Sequence, residues 1–225
     1  VLSSYRIKKY LRLIKTKNMI NIIFNWETEN MSSLTKKEAT HQRILETAAK
    51  IIRRDGFDAL GVADVMKQSG LTHGGFYAHF PNRTALLAEA LDYARKSSAN
   101  TIALAVVQQL EQGTKPLAAY IDAYLSEHHV SACFQGEGCP VAALGSEFSR
   151  QEATIKVEAT KATQAFIDKL IALSEQKLTQ ANAFFLASSL IGALQLARSL
   201  ENPVDAAAYL ATAKQHLLNI FTLQT

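Results

Sequence analysis

The chain has 225 residues, of which 48% are hydrophobic and 20% charged, with four prolines and two cysteines. That is enough apolar side chain for a sizeable core and too few cysteines for a disulfide framework, a composition expected of an intracellular protein built as one large domain or as a small domain joined to a larger one. The net charge of +4 is unevenly spread: residues 1–30 hold six Lys or Arg against two acids, 31–83 hold eight against five, and 84–225 hold ten against thirteen, so any polyanion is expected near the amino end.

Alanine and leucine dominate and β-branched runs are short, which predicts an all-α fold. The opening stretch, VLSSYRIKKYLRLIKTKNMINIIFNWETEN, differs in composition from the rest of the chain. Asn18, Asn21 and Asn25 break its apolar run, so neither a signal peptide nor a membrane span is expected. It reads as upstream sequence ahead of a start at Met31; the alternative is a basic arm touching nucleic acid or a membrane surface.

From Lys36 the pattern is regular. Ile44, Leu45, Ala48, Ala49, Ile51 and Ile52 form a helical stripe that ends at Arg53, Arg54, Asp55 and Gly56 with late positive charge and a glycine stop. A second short helix is expected from Val62 to Ser69, with Val65 and Met66 inward. Gly70 supplies a left-handed turn residue, and Thr72 caps a third helix running to about Phe80. Two short helices around a glycine-containing turn are the helix-turn-helix plan, whose second helix enters the DNA major groove.

That third helix contains Gly74-Gly75, each costing about 1 kcal/mol against alanine. Phe76 and Phe80, spaced i to i+4, must face inward, which leaves Thr72, His73, Gly74, Tyr77 and His79 at the amino end and outer side. Glycines there let the backbone approach DNA closely. Tyr77, His79 and Arg83 are candidate phosphate donors, and Thr72 and His73, with Val62 and Ala63 at the start of the second helix, are candidate base readers; Gly74 and Gly75 complete the set.

The stretch ILETAAKIIRRDGFDALGVADVMKQSGLTHGGFYAHFPNRTALLAEAL closely resembles the amino-terminal domain of TetR-family transcriptional regulators, carried by Gly70-Leu71, Tyr77, His79-Phe80 and Asn82-Arg83 in combination. It departs from the family pattern at Gly61, usually a Ser or Thr cap, at Arg83 and Thr84, commonly Lys and Glu, and at Gly75, frequently Thr. The resemblance implies a cytoplasmic homodimer on a palindromic double-stranded DNA operator, usually repressing and released by a small ligand, with no cofactor. It divides the chain into the 1–30 extension, a helix-turn-helix domain over 31–81, and a helical ligand-binding and dimerisation domain over 82–225.

Further helices are expected from the start of the larger part to about Ser97, over Asn100 to Gln112, from Pro116, over Glu152 to Ser174, and over Val204 to Phe221. The stretch TQANAFFLASSLIGALQLARSL is apolar nearly all round and should be buried on more than one side. Its small residues, Ala187, Ser188 and Gly192 among them, permit close helix approach, and with Leu196 they are the candidate dimer contacts; packing inside one large core is the alternative. Tyr120, Tyr124, Phe134, Phe148, Phe166 and Phe184 are candidates to line an apolar ligand pocket, or to be plain core. The lack of clustered Arg or Lys points to a neutral or hydrophobic effector.

Cys139 precedes Pro140 at an expected helix start, where the dipole favours a reactive, exposed thiolate. FQGEGCPVAALGSE also resembles a Gly-Cys-Pro segment in one branch of the family, some members of which respond to electrophiles through a cysteine. Cys139 reads first as a small buried residue filling a tight turn, and with a sensor role as the alternative it joins the candidate ligand residues. No metal site is expected, since adjacent His128 and His129 point apart on a helix and no CxxC spacing occurs. A Cys139-dependent enzyme is the competing class, disfavoured by the lack of an acid motif, phosphate loop or nucleophile elbow, and a non-inducible architectural DNA-binding protein is the other.

Overall fold

A computed structural model describes residues 35–222, so the 1–30 extension lies outside the described residues. The described chain is all-α. Its helices are α1 (Lys36–Asp55), α2 (Val62–Gln68), a 3-10 helix (His73–Ala78), α3 (Arg83–Ser97), α4 (Ala103–Glu111), α5 (Pro116–Tyr124), α6 (Glu127–Ala132), α7 (Pro140–Leu144), α8 (Ala153–Leu173), α9 (Gln180–Ser199) and α10 (Pro203–Thr222). No strand occurs among the described residues.

The chain forms two compact units. One combines residues 35–98 with Ser131–Ala165, the other Ala99–Val130 with residues 166–222. This differs from a cut at residue 82. α3 buries Leu86, Leu87, Ala90 and Leu91 in the same core as Ile44 and Ile52 of α1, Val65 and Met66 of α2, and Phe76 and Phe80, and Leu144 and Ile155 come back to join it.

α1 begins with a reciprocal cap that the Thr35-x-x-Glu38 spacing encodes: the Glu38 amide donates to the Thr35 hydroxyl at 3.3 Å and the Thr35 amide donates to the Glu38 carboxylate at 2.7 Å. That bonding holds the Glu38 carboxyl below its ordinary range. Near its other end Arg53 is only 5% exposed. Its guanidinium donates to the carbonyls of Ala49 (3.1 Å) and Ala94 (3.3 Å) and to the Ser97 hydroxyl (3.2 Å), tying the carboxyl ends of α1 and α3 together. Burial pushes its pKa down, yet a guanidinium stays charged, and acceptors at two helix carboxyl ends suit a cation. After α6 the chain passes α1 closely: Gly136, at φ +73°, has no room for a Cβ, which would collide with the Lys50 carbonyl.

In the second unit Tyr120 and Tyr124 of α5 are buried, and the Tyr124 ring stacks on Phe166 of α8 with centroids 5.4 Å apart. Lys214 of α10 pairs with Asp122 of α5 at 2.7 Å. The adjacent histidines do point apart: His128 is exposed, whereas His129 is 1% exposed and donates through Nδ1 to the Tyr124 carbonyl at 2.8 Å. The expectation that the α9 stretch is buried on several sides needs correction. Ala183, Leu186, Ala187, Leu190, Ala193, Leu194 and Ala197 face inward, but Phe184, Phe185 and Leu196 are each more than half exposed.

Burial pushes His129 down to about 4, so the folded chain refuses a proton that the unfolded chain accepts near ~6.5. Above pH ~6.5 both states are neutral and nothing is lost; as pH falls from there towards 4, the unfolded state gains the proton first and stability drops by on the order of 3 kcal/mol. Urea unfolding between pH 7.5 and 4.5 should show this slope in the wild type and a shallower one in His129→Gln.

Candidate nucleic-acid interface

The reading head rests on a division between buried and exposed sides of one short element. Val65 and Met66 of α2 are fully buried, and the turn after that helix places Gly70 at φ +70°. Ser69, 3% exposed, donates to the Thr47 hydroxyl of α1 at 3.1 Å and fixes the turn against that helix. The third helix is shorter than expected. It is a 3-10 helix ending at Ala78, with Phe80 beyond it, because two glycines weaken an α-helix and Pro81 stops one. Phe76 and Phe80 are nonetheless buried as their spacing demanded, with rings 5.7 Å apart, and the Phe80 amide donates to the Phe76 carbonyl at 3.0 Å. Thr72 occupies the N-cap position but its side chain makes no capping bond, and neither does Gly61 before α2.

Opposite the phenylalanines lie most of the candidate contacts. Thr72, His73 and Gly74 are exposed, and Tyr77 is 70% exposed with its ring edge-on to Phe76. Gly75 and Val62 are half-buried and Ala63 is exposed. Neither Gly74 nor Gly75 has a positive φ, and a Cβ on Gly74 would meet nothing within 4 Å. The fold itself therefore does not require a glycine at 74.

His79 is half-buried. Its ring lies 5.9 Å from that of His41, which stacks on Phe80 at 4.5 Å and donates to Glu89 of α3 at 2.9 Å. Burial first, then the positive field of His41 and Lys37, holds His79 below the ordinary histidine range. Its Nδ1 is buried and makes no hydrogen bond among the described residues. Arg83 is exposed, but its guanidinium is already engaged: Nη2 donates to the Phe57 carbonyl at 2.6 Å and Nε to the Leu60 carbonyl at 2.9 Å. Sequence reasoning misses these bonds, as it misses the His41–Glu89 pair and the Ser69–Thr47 bond. Caps such as Thr35–Glu38 and Asn82–Ala85 do carry a local signal.

The candidate ligand residues do not form one set. Tyr120, Tyr124 and Phe166 are buried together in the unit containing α5. Phe134, Cys139 and Phe148 belong to the unit containing α1, where Phe134 is 65% exposed and Phe148 packs half-buried against Phe57. Phe184 is exposed on α9. Cys139 precedes α7 and is only 7% exposed, in keeping with a small buried turn residue and against an accessible thiolate: helix position sets the local dipole, while burial is set by packing. Of the candidate dimer residues, Ala187 is buried within the chain, Gly192 is half-buried, and Ser188 and Leu196 are exposed. No cluster of three metal-ligating side chains occurs among the described residues.

Residues 44–90 match the family described as bacterial regulatory proteins, tetR family. An uncharacterised HTH-type transcriptional regulator of Mycobacterium tuberculosis, Rv0196, is 37% identical over 111 residues, covering 49% of this chain and 54% of that protein. Another from Bacillus subtilis, YxaF, is 28% identical over 118 residues, covering 51% and 59%. The chain thus spans a little over half the length of these curated relatives. Among solved structures, a TetR-family transcriptional regulator from Agrobacterium tumefaciens superposes with a TM-score of 0.64 at 24% identity, over 83% of this chain and 99% of that one. The reduced form of NemR from Escherichia coli gives 0.62 at 20% identity, over 80% and 96%. At these identities the structural likeness is one of fold.

Because a Cβ at position 74 meets open space, Gly74→Ala should leave the thermal midpoint unchanged or raise stability by up to about 1 kcal/mol. A clear drop on calorimetry would mean that the glycine serves the fold after all.

Proposed function

We propose that this chain, a member of the TetR family of bacterial regulatory proteins through its residues 44–90, is a DNA-binding transcriptional regulator that acts as a homodimer on a palindromic operator in the cytoplasm. The observation that carries this reading is the two-sided 3-10 helix, with Phe76 and Phe80 locked inside and Thr72, His73, Gly74 and Tyr77 bare outside. A core alone has no use for a glycine at 74 beside an exposed tyrosine; a surface that must lie flush in a major groove has. Tyr77 and His79 supply phosphate donors, which position the head, and Thr72 and His73 are the side chains aimed to read bases.

Dimerisation follows from the exposed apolar side chains of α9 and α10. Phe184, Phe185, Leu196, Val204 and Ile220 are each at least 46% exposed, and Ser188 and Gly192 leave room for close helix approach. Two heads of this kind serve consecutive major grooves when they stand about one DNA turn, ~34 Å, apart. An effector that binds better to a state with a different head spacing lowers operator affinity by its differential binding energy, which is the reading of the protein as an inducible repressor. The buried rings of Tyr120, Tyr124 and Phe166 favour an aromatic or otherwise apolar effector, and no catalytic step is assigned.

Selection of the preferred site from a random duplex pool is the primary test, and a palindrome of two half-sites is the expected outcome. On that site Tyr77→Phe should weaken binding to specific and random DNA alike through loss of one neutral phosphate hydrogen bond, leaving the salt dependence unchanged, whereas His73→Ala should change which bases are preferred. Gly74→Ala should lower affinity without loss of fold. If the pool yields no enriched sequence, the DNA-reading assignment fails. Separately, Leu196→Glu should convert the dimer to a monomer in sedimentation velocity and reduce operator binding with it; a persisting dimer would place the interface elsewhere.

A further inference from the structure

The connection from α1 to α2 is gripped at a single residue from two directions. The Phe57 amide donates to Glu147 Oε2 at 3.0 Å, while the Phe57 carbonyl accepts from Arg83 Nη2 at 2.6 Å. Arg83 also holds the Leu60 carbonyl, and the next residue, Gly61, is the N-cap of α2. Glu147 arrives from 90 residues downstream, just after α7. Its carboxylate lies so near Gly56 that a Cβ there would stand 2.8 Å from Oε1, and Gly56 sits at φ +88°, a backbone angle that calls for glycine. The neighbouring Phe148 ring packs on the fully buried ring of Phe57, with centroids 6.2 Å apart. The same stretch of chain meets α1 twice more, where Gly136 lies against the Lys50 carbonyl and Cys133 Sγ is 4.0 Å from the Arg53 carbonyl.

We propose that Glu147 is a positioning residue for DNA recognition: by holding the Phe57 backbone opposite Arg83, its carboxylate sets where α2, and the 3-10 helix after it, stand on the reading head. This rests on the DNA-binding reading and adds to it a second support that belongs to the chain after α6. A charge-assisted bond to a buried amide is directional, and the linkage from it to Val62 runs through only five residues, Phe57 to Gly61, two of which Arg83 also holds. A carboxylate serving only to stabilise the fold would cost folded population when removed. A carboxylate that positions the head costs discrimination between operator and other DNA in molecules that remain folded.

The experiment measures affinity for the selected operator and for random duplex, on the full chain, at a temperature where circular dichroism shows each variant fully folded. Glu147→Gln keeps the shape and a neutral acceptor; Glu147→Ala removes the acceptor. The operator-to-random ratio should fall roughly threefold for the first and tenfold or more for the second, with random-duplex affinity unchanged, as loss of one charge-assisted hydrogen bond implies. Ratios equal to wild type in folded variants, or losses shared equally by both DNAs, would overturn the positioning role and leave the DNA-binding reading standing. A wild-type chain that discriminates no DNA would overturn both.

Discussion

A six-residue 3-10 helix with two adjacent glycines has no stability of its own: it is too short to offset nucleation and its residues are poor helix formers. It exists because Phe76 and Phe80 are buried against α1, α2 and α3, each contributing about 2–3 kcal/mol of apolar burial. Everything on its outer side depends on that anchoring. With the phenylalanines inside, Thr72, His73, Gly74 and Tyr77 have no choice but to face solvent, and a surface that costs local helix stability is held by the core directly beneath it.

Several polar interactions around that core join elements distant in sequence. Arg53 spans the carboxyl ends of α1 and α3, Ser69 ties the turn to Thr47, and Arg83 and Glu147 hold opposite sides of Phe57. Most sit at ends of helices or in the connections between them, where backbone groups lack intrahelical partners. Apolar packing sets which helices meet in this unit. The charged side chains set how far along one another they lie, since a hydrogen bond tolerates a narrower range of distance and angle than an apolar contact does.

What is legible in the sequence is what is local and periodic. The stripe of Ile44, Leu45, Ala48 and Ile52, the Phe76–Phe80 spacing, the Gly70 turn and the ends of α8 and α10 follow from period and punctuation, and the structure agrees with them to within a residue or two. The third helix falls short of its expected end because burying Phe80 does not require helix up to it; a turn suffices. Long-range partners leave no such trace. Nothing around Arg83 announces Phe57 and Leu60, and nothing around Glu147 announces an amide 90 residues away. The aromatics are ambiguous for a related reason. Helical spacing tells which residues share a face but not whether that face is covered, so buried Tyr124 and exposed Phe184 look alike in sequence.

His79 shows how a small piece of packing can prepare a side chain electronically. Its Nδ1 faces the interior with nothing to bond, and a bare lone pair is cheaper to bury than an orphaned N–H. A neutral ring is therefore better served with its one proton on Nε2. Tautomer choice, normally decided by whichever partner arrives, is biased beforehand by the protein interior, and the same burial, with the field of His41 and Lys37, lowers the pKa and so favours the uncharged imidazole.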